Sequence, residues 1–296
     1  LYTGQNLIDI YCQNATPGQA GLVFNLKNAG TGVVLAQSDS TVTYSPTFLP
    51  TYIPGITHYF SADLGITASS NLLSTWSDQS GNGFNATQTT SGLQPTVSST
   101  GTGLYSIPCI KFNGTTGMML TCSNGVSGLS SVTICLVMYA NTKSNYANQF
   151  LSTDGAWTNG SIHNNFAANS MIPNTQIYDT GSSNNIALTA NTACIYIVTV
   201  SISSGKCNMW TYVNGASGIY TTNTVTSTSL NLSSIDIGGW SGDTTRTFNG
   251  GIYSIIIYDN VLSTTQRQQL EGYLQWKWWW DGKILPSTHP YYSICP

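Results

Sequence analysis

Charge is what this sequence has least of. Charged residues make up 6% of its 296 positions, against the roughly 25% of ordinary soluble domains. With eight basic residues and a net charge of −3, no cluster exists to neutralise phosphates, which excludes a nucleic-acid partner. No apolar run approaches the roughly 20 residues of a membrane span. No C-x-x-C pair occurs and histidines number only three, so no zinc site is expected. No G-x-S-x-G elbow is present, and His58, His163 and His289 are widely separated, each the kind of lone histidine that is structural or exposed. Glutamate occurs once, as Glu271.

Serine, threonine, asparagine and glycine take the place of charge, while 41% hydrophobic and 11% aromatic residues suffice for a core. The segments 131–140 (SVTICLVMYA), 194–203 (CIYIVTVSIS), 207–213 (CNMWTYV) and 251–259 (GIYSIIIYD) are rich in β-branched and aromatic residues between Gly, Asn and Ser clusters, and predict strands. Asn214-Gly215 predicts a hairpin, because a type I′ turn needs positive φ at both central residues. Many short strands with polar loops predict an all-β, two-sheet antiparallel jelly-roll sandwich. One short C-terminal helix is expected, opened by the S-x-x-Q capping box Ser263/Gln266 with Leu270, Tyr273 and Leu274 on one face. The following WKWWW (276–280) reads as a plug over a sheet edge or sandwich end, with a sugar-stacking or membrane-interface device as the other reading. Residues 1–49, with GLVFNL and GVVLAQ as strand candidates, form an N-terminal β arm or partial β domain; SPTFLPTYIPG (45–55) reads as a linker, 50–292 as the main domain and 293–296 as a tail.

Seven cysteines, an odd number, leave at least one thiol free or paired to another chain. Cys109 with Cys122, and Cys194 with Cys207, are near enough in sequence to share adjacent strands, and small buried thiols are the equal alternative. Sequons at Asn14, Asn85, Asn113, Asn159 and Asn231 are candidate glycosylation sites. In WSDQSGNGFNAT (76–87), Asp78, Ser80, Asn82 and Gly83 match the opening of a calcium loop. The twelfth position is Thr89 rather than a bidentate glutamate, and the single carboxylate falls short of the six to eight oxygens calcium takes. The stretch therefore reads as a turn that aims Trp76 and Phe84 inward, and no cofactor is expected, calcium being the disfavoured option.

From Ile53 onward the order of elements resembles the laminin-G-like, concanavalin A-like lectin jelly rolls found in large DNA virus, phage and bacterial surface proteins. The resemblance is carried by IPGITHYFSADLGI, LLSTWSDQSGNGFNAT and PCIKFNGTTGMML at the start. At the end it is carried by YIVTVSISSGKCNMWTYVNG, IDIGGW and FNGGIYSIIIYDNVLSTTQRQQLEGYLQWKW. It implies a sandwich used for carbohydrate binding, adhesion or particle structure, at an extracellular or virion surface. Glycosidases of this fold carry E-x-D-x-x-E on one strand; this chain has no such pair, and retaining hydrolysis needs two carboxyls about 5–5.5 Å apart. A non-enzyme is expected.

Sugar binding needs aromatic faces beside amides or carboxylates. Two loops supply them: 152–161 with Asp154, Trp157 and Asn159, and 238–246 with Trp240, Asp243 and Arg246. The alternative is that both tryptophans fill the ends of the sandwich. The expected partners are glycans or neighbouring coat or surface subunits, the latter including a homo-oligomer. The odd cysteine count leans toward assembly.

Overall fold

The computed structural model describes residues 6–16, 19–28, 34–37, 48–98, 107–141, 149–154, 158, 160–166, 173–177, 186–216, 218–279 and 283–296. The chain divides into two compact units, Leu1–Thr47 and Phe48–Pro296. In the first, β1 (Asn6–Thr16), β2 (Gln19–Asn28) and β3 (Val34–Gln37) form an antiparallel sheet in that order, in register from Asn6↔Asn28 to Thr16↔Gln19 and from Asn25↔Gln37 to Lys27↔Val34. GLVFNL and most of GVVLAQ are strands, as expected; the long β1 was not among the expected strands.

The second unit begins with β4 (Ile56–Ser61), β5 (Ile66–Ser69), β6 (Leu72–Trp76), β7 (Ala86–Thr87), β8 (Thr96–Ser98), β9 (Cys109–Asn113), β10 (Leu120–Cys122), β11 (Val126–Leu129) and β12 (Ser131–Ala140). It continues with β13 (Gln149–Thr153), β14 (Ile162–Phe166), β15 (Pro173–Ile177), β16 (Cys194–Ser203) and β17 (Lys206–Val213). β18 (Ile219–Thr224), β19 (Leu230–Leu232), β20 (Ile235–Ile237), β21 (Asn249–Tyr258) and α1 (Thr264–Trp278) complete it. One sheet runs β18-β17-β16-β12-β21, with β4 and β9 sharing the far edge of β21. The other runs β5-β6-β7-β10-β20-β13-β14-β15. β8 links them, pairing with β9 along three residues and with β6 only through Leu72↔Thr96. Strands β11 and β19 form a separate ribbon.

The two sheets face each other. Phe60 of β4 meets Trp76 of β6 at 5.5 Å, and Phe150 of β13 meets Tyr196 of β16 edge-on at 5.9 Å. Two polar contacts also cross the gap: the Trp76 indole donates to Ser61 O (2.9 Å), and Thr175 Oγ1 lies 2.8 Å from the Tyr196 hydroxyl. Each buried polar tip thereby has a partner, which offsets the cost of burying it. The protein is an all-β, two-sheet antiparallel jelly-roll sandwich with one C-terminal α-helix among the described residues.

Strands β12 and β21 are buried along nearly their whole length. A strand that is apolar at every position must be covered on both faces, and here α1 supplies the second cover. Arg267 lies 4.0 Å above the Tyr212 ring of β17, Tyr273 bonds the Tyr59 hydroxyl of β4 (3.0 Å), and the Trp278 indole donates to Ser254 of β21 (3.0 Å). Leu270 and Leu274 are fully buried, worth about 1.5–3 kcal/mol each. The helix starts on the expected capping box: Ser263 Oγ accepts from Gln266 N, and Ser263 N donates to Gln266 Oε1 (2.9 Å). Of WKWWW, Trp278 and Trp279 are buried as a plug would be, and Trp276 donates to Ile294 O (2.9 Å); Trp280 lies outside the described residues.

The stretch read as a linker is, from Phe48 onward, part of the sandwich. Phe48, Pro50 and Ile53 are buried, Phe48 packs edge-on against Tyr273 at 6.0 Å, and the Tyr258 hydroxyl donates to Pro50 O (3.1 Å). Pro50 opens a 3-10 turn, Pro50–Tyr52, rather than an extended spacer.

Candidate functional site

Residues directly opposite each other on neighbouring strands share a face of the sheet. In the second sheet one such row crosses eight strands: Thr67↔Thr75↔Thr87↔Thr121↔Asp236↔Ser152↔His163↔Gln176. Every member is polar, while the flanking positions Leu120, Ile237 and Leu151 are buried and apolar. The row is therefore the outward face of the sheet. It is open at Thr67 and Thr87 and passes out of solvent at Asp236, Ser152 and His163.

What covers it there is the loop 238–246. Asp236 Oδ2 holds that loop in place, accepting from Ser241 N (2.7 Å), while Oδ1 accepts from Thr121 Oγ1 of β10 (2.9 Å). Ser152 Oγ donates to Gly239 O (3.1 Å). Gly238 turns at φ +80, where a Cβ would fall 2.1 Å from the Phe112 ring, so only glycine fits. Held this way, the half-buried Trp240 stands edge-on to His163 at 5.0 Å, and the Arg246 guanidinium lies 5.1 Å from the Trp240 ring centre. Asp243 Oδ2 accepts from Arg246 Nε (3.3 Å), leaving both Nη groups of the fork without a protein acceptor among the described residues. The Thr245 hydroxyl and amide hold the Asp243 carboxyl below the usual carboxylate range.

His163 sits between the two loops. Burial, and secondarily the Arg246 charge, push its pKa down to about 4, while Asp154 pulls the other way. It is thus neutral at pH 7, with Gln149 Nε2 3.4 Å from its Nδ1. Asp154 follows β13 in a left-handed conformation (φ 79), accepting from Thr158 Oγ1 and from Asn231 Nδ2 (3.5 Å). Because β13 and β20 are antiparallel, Asp154 leaves their pair at the Ser234 end and Trp240 at the Phe150 end. Asp154 and Trp240 thus leave the β13–β20 pair at opposite ends. Trp157 and Asn159 lie outside the described residues. Asp236, Ser152, His163 and Gln176 were not among the residues picked from sequence; the apolar-polar-apolar alternation of Ile235-Asp236-Ile237 was the one legible signal.

Elsewhere the candidate motifs resolve individually. Asp78 is the centre of a turn: Oδ1 accepts from Tyr59 N and Ser80 N (both 2.9 Å), and Oδ2 from Ser80 Oγ (2.6 Å) and Phe84 N (3.2 Å). Gly81 and Gly83 supply the positive φ angles, and no cluster of three metal-ligating side chains occurs among the described residues. Glu271 is a buried residue of α1 itself, accepting from Arg267 Nη1 (2.6 and 2.8 Å) and lying 3.0 Å from His289 Nε2. Since His289 Nδ1 accepts from Tyr291 N (3.2 Å), it is Nε2 that carries the proton and donates to Glu271. His58 is buried beside Phe84, its pKa lowered by that burial. Cys109, Cys122, Cys135, Cys194 and Cys207 are buried free thiols. Of the sequon asparagines, Asn85 and Asn113 are exposed and Asn231 half-buried, while the side chain of Asn14 and all of Asn159 lie outside the described residues. No helix among the described residues is long and apolar enough to cross a membrane.

No protein-family model and no curated protein matches this chain. Solved structures do. A mutant GH54 α-L-arabinofuranosidase soaked with 4-nitrophenyl α-L-arabinofuranoside aligns at 14% identity with a TM-score of 0.51, over 76% of this chain and 60% of that one. Domain 4 of AbnA, a GH43 extracellular arabinanase from Geobacillus stearothermophilus, in complex with arabinotriose, gives 14% identity and 0.49 over 72% and 96%. The binding domain of Paraclostridial Mosquitocidal Protein 1 gives 14% and 0.49 over 76% and 53%. The arabinofuranosidase likeness is one of fold, and the fold is a β-sandwich.

Proposed function

We propose that this protein is a non-catalytic carbohydrate-binding module that attaches its owner to glycans at an extracellular or particle surface. The observation that carries the reading is the arrangement over His163: a half-buried indole with a guanidinium stacked on it, whose Nη groups have no acceptor among the described residues. It stands within a row of polar side chains, with Asp236 and Ser152 on one side of His163 and Gln176 on the other. A sugar offers an apolar ring face and several hydroxyls, and such a site offers a π-face with donors and acceptors that stay uncharged or locally neutralised. Asp243 balances Arg246, and His163 is neutral at pH 7. We read the carboxylates of the site as serving its structure: Asp236 accepts from Thr121 and Ser241, Asp243 from Thr245 and Arg246, Asp154 from Thr158 and Asn231, and Glu271 is buried within α1 against Arg267.

The test is a glycan array probed with the intact chain and with Trp240→Ala and Arg246→Ala variants whose fold is checked by circular dichroism. The expected outcome is binding by the parent and at least about tenfold weaker binding by each variant, or about 1.4 kcal/mol. No binding by the parent, together with concentration-dependent self-association in sedimentation, would replace this reading with subunit assembly in a coat.

A further inference from the structure

We propose that the outer face of the β17–β18 hairpin is a second saccharide platform, on which Trp210 and Tyr220 take up the face of a neutral sugar ring. The residues lie on the opposite sheet from the Trp240 loop and share none of its elements. The carbohydrate reading above guides only the choice of probes.

The hairpin places Trp210 directly across from Tyr220. Their ring centres are 5.0 Å apart with planes tilted by 43°, and Tyr212 continues the surface, nearly parallel to Trp210 at 16° and 6.3 Å. Helix α1 stops at Tyr212, which Arg267 covers. Beyond that footprint the two rings stay open, Trp210 at 41% and Tyr220 at 47% exposure. Burial thus does not explain them, as it explains Trp76 or Trp278. The rings are also braced: the Tyr220 hydroxyl donates to Asn208 Oδ1 (2.7 Å), which fixes its tilt and leaves the Asn208 amide nitrogen, at the margin of the rings, as a donor.

Size and charge decide between occupants. An aromatic side chain of this kind buries about 150–250 Å², so two at these exposures leave on the order of 200 Å² of ring surface open. A stable protein partner needs roughly 800 Å² per side, several times more, whereas one sugar ring is matched in area. The surrounding positions of the same face, Asn208, Thr222 and Thr224, are neutral hydrogen-bonding groups. Among the described residues of the hairpin the one charge is Lys206, which bonds Thr224 Oγ1 at 2.6 Å, and Arg267 lies against Tyr212 at the far margin. The described residues of β17 and β18 include no carboxylate to attract a basic partner, and one engaged lysine does not select an anionic one. A neutral polyhydroxyl ring is the class that fits.

The indole N–H resonances of the ¹⁵N-labelled protein provide the test, with Trp210 and Trp240 assigned by Trp210→Phe and Trp240→Phe. The probes are the hexaoses of xylan, cellulose, mannan and arabinan, with an oligogalacturonate as the anionic control. The expected result is a saturable shift of the Trp210 resonance with at least one neutral hexaose. The shift should persist in Trp240→Ala and weaken at least about tenfold in Tyr220→Thr, a change that suits an exposed edge strand. A ring pair that only braces the hairpin would not respond to sugar. A Trp210 resonance unmoved by every neutral probe overturns the proposal, as does one that moves only when the protein is diluted, which would assign the face to a second copy. Movement of Trp240 alone overturns the platform and leaves the loop site standing; movement of Trp210 alone does the reverse.

Discussion

His163 shows how a single side chain records its surroundings. In the folded protein it takes a proton only below about pH 4, whereas an unfolded histidine does so near 6.5. Between those values the unfolded chain binds a proton that the folded one refuses, so stability falls as pH drops through the window and is untouched by this group above it. We predict that the urea midpoint declines from pH 6.5 to pH 4. His163→Gln should flatten its share, at most about 1.4 kcal/mol per pH unit, with His58, also depressed, keeping part of the slope. From sequence His163 was one of three isolated histidines, and nothing near it along the chain signals Trp240, Arg246 or Asp154. Its neighbours arrive through pairing of strands only three to five residues long, too short to show a period. Asp78 is the opposite case: all its partners but Tyr59 lie within seven residues, so the turn could be read directly.

Elements were legible where their signals are local. The runs 131–140 and 194–203 became β12 and β16 with the same bounds, and Asn214 and Gly215 turn at φ 52 and 70 as the hairpin requires. The capping box marked the start of α1. What sequence did not reveal is how that helix is fastened. Arg267 and Glu271 are an ordinary i, i+4 pair on paper, worth a few tenths of a kcal/mol on an exposed helix. Here they are buried, and His289, from the Pro-flanked tail, joins them. Glu271→Gln would leave the Arg267 charge buried without its counter-ion. We predict a loss of about 3–5 kcal/mol, measured by urea unfolding at pH 7, with release of 286–296 detectable as faster hydrogen exchange.

At the scale of the whole molecule, the sandwich follows from the alternation of strand and turn signals, but its thiol chemistry does not. Cysteine spacing left disulfides and buried thiols equally open. The described core holds thiols, with burial raising the Cys122 and Cys207 pKa values to about 11 and that of Cys194 to about 12. We predict that Cys109, Cys122, Cys135, Cys194 and Cys207 escape alkylation at pH 8 in the native protein. All five should be modified in guanidinium chloride, as read by mass spectrometry. A thiolate is the reactive form, and neither protonation state nor access favours attack while the fold is intact.

The pairing of β4 with β21 sets a schedule for the protein's birth. Thr57 and Ile257, joined by a hydrogen bond across these strands, are 200 residues apart. At about 5–20 residues per second a ribosome needs on the order of 10–40 s to make that interval. Throughout it β4, buried in the finished molecule, has no partner strand along the edge it will share with β21, and α1 has yet to be made. The sandwich therefore closes only after β21, near the end of the Phe48–Pro296 unit, has emerged. A cell that makes this protein must shield an apolar strand for longer than most small domains take to fold.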